Sequence, residues 1–120
     1  MLYILSKEEA ENAVRRIQMQ EVIVKSLENG VLHVELFGDI DLGNAEEFYS
    51  TVMQAYEANK GDICFHCEKL NFIDSTTLGT FVKILKTIKE NGNKMRLCGL
   101  QAKIKKLFLI CALDSIMELD

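Results

Sequence analysis

The chain contains no proline. Its turns must therefore be built from glycine, asparagine and aspartate, and glycine supplies only seven positions. No apolar run approaches the roughly 18 residues that a membrane-crossing helix needs, so no membrane association is expected. Four cysteines in 120 residues are too few for a disulfide scaffold. There is no basic excess: fourteen Lys and Arg face eighteen Asp and Glu, for a net charge of −4. Such a balance excludes non-specific binding to nucleic acid or to an anionic bilayer. The first sixteen residues have neither a basic start nor a small-residue cleavage site, so no secretory leader is expected. With reduced thiols, this reads as a cytoplasmic protein. Linkers, repeats and low-complexity tracts are also missing.

What is present fits one ordinary globular domain. Hydrophobic residues make up 48% and charged residues 27%. A chain of this mass buries about two-thirds of its surface on folding, enough for a core without staples. Strand and helix patterns alternate along it. Residues 1–5 read as a short strand. Ser6 and Glu9 have the spacing of a capping box, which predicts a helix from Lys7 to about Met19. Two β-like runs, Glu21–Leu27 and Val31–Phe37, flank Asn29-Gly30, the strongest short hairpin signal. In the second run Leu32, Val34 and Leu36 share the core face.

Helical periodicity then runs from Leu42 to Asn59, with Ala45, Phe48, Val52 and Tyr56 on one stripe. A third strand, Asp62–Glu68, is apolar enough to be covered on both faces. A loop is expected over Lys69–Ile73, followed by a helix carrying Leu78, Phe81, Val82, Leu85 and Ile88. Gly92 ends that helix. Lys94–Leu100 reads as a fourth strand. Lys103–Cys111 reads as a helix with Ile104, Leu107, Phe108 and Cys111 inward, and Leu113–Leu119 as a closing element. The order predicts an α/β fold: a mixed sheet of four to five strands, with parallel crossovers and the main helices packed on it.

Cys64 and Cys67 have the C-x-x-C spacing of a redox motif or half a zinc site. In a strand, however, they point to opposite faces. Redox pairs also sit at helix starts, where the dipole lowers the thiol pKa. Cys98 and Cys111 fall in other elements, so no metal site is expected and the thiols read as structural. His33 and His66 lie in strands, with no catalytic arrangement around them. Lys103, Lys105 and Lys106 form a basic cluster, read either as a solvated helix face or as part of a docking surface.

Asp74-Ser75-Thr76-Thr77 marks a helix start. One reading makes Ser75 the N-cap, its oxygen accepting from the amide of Thr77 or Leu78. The other makes its hydroxyl a phosphorylation site, with the phosphate meeting free helix amides and the positive end of the dipole.

Four segments together resemble the STAS domain of bacterial anti-sigma factor antagonists. Phe37-Gly38-Asp39-Ile40-Asp41, with Ala45 and Phe48, is similar to the family's entry to its first main helix. Residues Leu70 to Gly79 resemble the signature around a phospho-acceptor serine. Asn91-Gly92 with Met95 to Leu100, and Ile104 to Phe108 with Ala112-Leu113-Asp114 and Ile116, match the remaining helix exit, strand and ending. The resemblance covers about Glu21 to Leu119. Residues 21–120 would form the STAS domain and residues 1–20 an N-terminal extension, which either covers an open sheet face or mediates homodimerisation.

The resemblance implies a non-enzymatic switch without cofactor or metal. The unphosphorylated protein would bind an anti-sigma factor with serine kinase activity and release a sigma factor, until the kinase phosphorylates the serine. Carried over, the acceptor is Ser75, with Thr76 and Thr77 as alternatives. The partner-binding residues are Asp39, Asp41, Asp74, Thr76, Thr77 and Gly79. This chain has Thr77 where the family commonly has Gly, and His66 where it usually has Asp. Another reading is a STAS interaction module without phosphorylation, acting as a scaffold or as a subunit of a signalling or transport complex. From a different class, a small enzyme using Cys64 and Cys67 would require zinc or a thiol of low pKa. A phosphate-receiver domain would need acidic residues that this order of elements does not provide.

Overall fold

Asn29 and Gly30 both adopt positive φ, 53° and 76°. Their twist matches that of the strands they join. Strand β1 (Val22–Glu28) thereby pairs antiparallel with β2 (Val31–Ile40), through a bulge between Val24 and Ser26. The computed structural model describes residues 21–120. The strand-helix unit expected over residues 1–20 lies outside the described residues.

Helix α1 (Ala45–Ala58) leads to β3 (Asp62–Ile73), and α2 (Ser75–Glu90) leads to β4 (Met95–Cys98). Helix α3 (Ala102–Ile110) and a 3₁₀ turn at Leu113–Ser115 lead to β5 (Glu118–Leu119). The five strands stand in chain order, β1-β2-β3-β4-β5, and every pairing after the hairpin is parallel. The expected mixed α/β sheet is thus realised with five strands.

The three helices of the described residues contribute to one core against one face of the sheet. Leu32, Val34 and Leu36 of β2 point into it, as the alternation required. At its centre Phe48, Phe65, Phe81 and Phe108 meet edge to face, with ring centroids 5.1–6.0 Å apart. This geometry sets the positive ring edges against negative ring faces. Tyr56 is fully buried and still satisfied, its hydroxyl 2.6 Å from Asn93 Oδ1. The opposite face of the sheet carries His33, Glu35, Cys64, His66, Arg96 and Cys98, and is polar and partly open.

Four sequence expectations need correction. Lys69–Ile73 is not a loop; β3 continues to Ile73, because β2 runs on to Ile40 and offers a partner with two register shifts on the way. Helix α1 begins at Ala45 rather than Leu42, because Asp41–Asn44 is held in a turn by its own side chains. Cys111 is exposed rather than inward, and Leu107 is partly so. Helix α3 ends at Ile110 and the chain turns through Ala112 in the left-handed region, which takes Cys111 off the stripe that Ile104 and Phe108 define. The structural thiols are also unevenly placed: Cys64 and Cys67 are buried and Cys98 is half-buried.

Candidate functional site

Asp74 leaves β3 in extended conformation and caps α2. Its Oδ1 accepts from the amide of Thr77 at 3.0 Å. The cap is therefore Asp74 and not Ser75. Carboxylates are strong caps, because they meet both the free amides and the positive end of the helix dipole. Ser75 becomes the first helical residue and is exposed. Its hydroxyl is not the group that closes the helix end.

Asp74 also ties two loops together. Its Oδ2 accepts from the amide of Leu42, at 2.8 Å, in the turn between β2 and α1. That turn is closed locally. Asn44 Oδ1 accepts from the Asp41 amide, Asn44 Nδ2 donates to the Asp39 carbonyl, and Asp41 Oδ1 accepts from the Gly43 amide. The Thr77 amide above all holds the Asp74 carboxyl below the usual carboxylate range, against an opposing effect of desolvation, and the Leu42 amide adds to it.

Thr77 is fully buried, and its hydroxyl sits between the Ile40 carbonyl, to which it donates, and Asp74 Oδ1. Thr77 thereby fastens the end of β2 to the start of α2. Burial takes Thr77 off the accessible surface. Ser75, Thr76 and Gly79 are exposed on the first turns of α2. Ser75 and Gly79, four residues apart, share a face.

Of the expected aspartates, Asp74 and Asp41 are engaged in shaping the loops, whereas Asp39 is exposed at the end of β2. Three residues that matter here were not singled out from sequence. Asn44 is the staple of the β2–α1 turn, and the Asp41-x-x-Asn44 spacing before a helix was its signal. Leu42 and Phe72 are the others, 74% and 49% exposed. They stand on the two segments that meet at Asp74. Both apolar side chains are left in water near the capped end of α2. Next to it, a cleft of about 410 Å³ is lined by Leu42, Glu46, Tyr49, Thr76, Thr80 and Lys83. The Lys83 ammonium lies 4.2 Å from the Tyr49 ring centroid, bridging α1 and α2.

Away from this end, Cys64 and Cys67 do point to opposite faces. Burial pushes the Cys67 thiol far up, out of any redox or nucleophilic range. Among the described residues, no helix is long and apolar enough to cross a membrane.

The profile of the STAS domain family matches residues 22–120. The anti-sigma-B factor antagonist of Staphylococcus aureus is 28% identical over 87 residues, which cover 72% of this chain and 81% of that protein. Among solved structures, the Thermotoga maritima protein TM1081 superposes with a TM-score of 0.74 at 22% identity, over 83% of this chain and 86% of its own. The anti-sigma factor antagonist SpoIIAA in its unphosphorylated form gives a TM-score of 0.67 at 16% identity, over 82% and 86% of the two chains. These structural likenesses establish the five-stranded fold.

Proposed function

Because the chain belongs to the STAS domain family, we propose that it is an anti-sigma factor antagonist switched by phosphorylation of Ser75. Unphosphorylated, it binds an anti-sigma factor with serine kinase activity and so releases a sigma factor. The kinase then transfers a phosphoryl group from ATP to the Ser75 hydroxyl, and the complex separates. The protein itself performs no catalysis. The names of its relatives, and the existence of SpoIIAA in unphosphorylated and phosphorylated forms, support this reading.

The observation that carries it is the division of labour between Asp74 and Ser75. Asp74 already accepts from the Thr77 amide in the first turn of α2. A phosphate on Ser75 would not find that donor free. It would add a charge of about −1.5 to −2 beside an existing carboxylate. The modification then leaves the fold capped as before and acts on whatever docks against Leu42, Phe72, Ser75, Thr76 and Gly79. A partner burying that surface would have to desolvate an unpaired dianion, which is strongly unfavourable.

The test is incubation with the anti-sigma kinase encoded by the same genome, with ATP, followed by mapping of the modified site by mass spectrometry. Phosphate is expected on Ser75. Ser75→Ala should stay unmodified and bind the kinase constitutively. Ser75→Asp should weaken binding about 10–100-fold, the range over which one buried unpaired charge acts. An unmodified Ser75, with no complex formed, would overturn the proposal.

A further inference from the structure

The sheet face opposite the helices brings together four side chains that the sequence scatters over three strands. In the register of β2 against β3, His33 stands beside Cys64; in that of β3 against β4, His66 stands beside Cys98. All four lie on the same side of the pleat. His33 Nδ1 and His66 Nε2 are 2.9 Å apart, with the rings stacked at a centroid distance of 5.1 Å. Cys64 Sγ and Cys98 Sγ are 3.3 Å apart. One donor atom from each of His33, Cys64 and His66 lies within 4.8 Å of the other two. Although Cys98 lies on another strand, parallel pairing sets it diagonally beside Cys64.

We propose that His33, Cys64 and His66, with Cys98 as the fourth donor, form a binding site for a divalent transition-metal ion, zinc in the first instance. Two imidazoles and two thiols are the donor set that suits a tetrahedral ion of intermediate softness. The spacing is close to what such an ion requires. Ligand bonds of about 2.0–2.1 Å to nitrogen and about 2.3 Å to sulfur place paired nitrogens about 3.3 Å apart and paired sulfurs about 3.8 Å apart. These two pairs need to open by about half an ångström, while the nitrogen–sulfur separations, which reach up to 4.8 Å, need to close toward about 3.6 Å.

The protons balance simply. In the imidazole pair, one ring holds its proton on the nitrogen facing the other. On metal binding, that proton moves to the outer nitrogen of the same ring, and each coordinating thiol releases its proton to solvent. The site is reachable. Clefts of about 320 Å³ and about 330 Å³ open on this face, the first lined by His33, Cys64 and Arg96, the second by His33, Glu35 and His66. Two of the nearby charges are already paired, Arg96 with Glu118 and Asp120 and Glu35 with Lys25 and Lys69. A dication here therefore meets no uncompensated guanidinium.

The experiment is cobalt titration of the untagged full-length chain, stripped with chelator and kept reduced with a phosphine. One Co²⁺ per chain is expected, with intense tetrahedral d–d bands and a thiolate-to-cobalt charge-transfer band in the near ultraviolet, both abolished by competing Zn²⁺. Cys64→Ser should remove most of the charge-transfer band and weaken Zn²⁺ binding about 100-fold or more. Cys98→Ser should reduce the band, and Cys111→Ser, at an exposed thiol, should leave it intact. If Cys64→Ser does not fold, His33→Asn and His66→Gln at half-buried positions carry the same test, with circular dichroism as the check on folding. Absence of a charge-transfer band in the reduced wild type, or a band unchanged in the folded Cys64 and histidine variants, would overturn the site.

Discussion

Asp74 is one carboxylate with two structural tasks. It caps α2 through Thr77 and anchors the β2–α1 turn through Leu42. Both contacts favour its ionised form, so its folded pKa lies below the unfolded value. A group shifted this way stabilises the protein fully above its unfolded pKa, about 4 for aspartate, and the contribution is lost as pH falls through the lower folded value. Asp74→Ala should therefore lower the urea midpoint at neutral pH, and the gap from wild type should close as the medium is acidified. Asp74→Asn, which retains capping ability, should recover part of the loss. A gap independent of pH in urea titrations run from neutral to acid would show that the charge is not what matters at this position.

The elements owe their limits to short-range devices. Some of these are written plainly in the chain. Asn29-Gly30 sets the hairpin, Gly92 follows the end of α2 in the left-handed region, and the alternation of Leu32, Val34 and Leu36 chooses the core face. Others depend on a partner strand that no local pattern contains. Leu70 to Ile73 are a short run broken by Asn71, and become strand because β2 extends alongside them. Ser75 and Asp74 are both good caps by composition, and only the geometry at the end of β3 decides between them. The pairing of Cys64 with Cys98 likewise depends on register, which sequence spacing does not encode. The tertiary contact at Gly61 was equally silent. A β-carbon there would lie 2.2 Å from the Gly30 carbonyl oxygen, so β3 starts where only glycine can pass the hairpin turn. Gly61→Ala should cost about 1–3 kcal/mol, the range for overpacking against unyielding backbone. Denaturant unfolding would measure it, and a loss below that range would mean that the hairpin gives way easily.

At the level of the whole molecule, four phenylalanines from α1, β3, α2 and α3 form the contact that makes the layers one body. Phe81 touches the other three. Phe81→Ala should cost about 3–5 kcal/mol, a large part of the 5–15 kcal/mol typical of a domain. Calorimetry should show the drop as a lower Tm with a single transition; two separate transitions would mean that the helices and the sheet are not one cooperative unit.

The agreement between strand order and chain order bears on how the protein is made. After the hairpin, each new strand pairs with the one synthesised just before it, across connections of similar length: residues 41–61, 74–94 and 99–117. Closure entropy grows only slowly with loop length, so the three closures carry similar costs. As the chain leaves the ribosome, each strand meets an edge that already exists, and no later segment has to be threaded between earlier ones. Until its successor arrives, that edge could also template pairing with another chain. Strand β5 is two residues long and offers little such template.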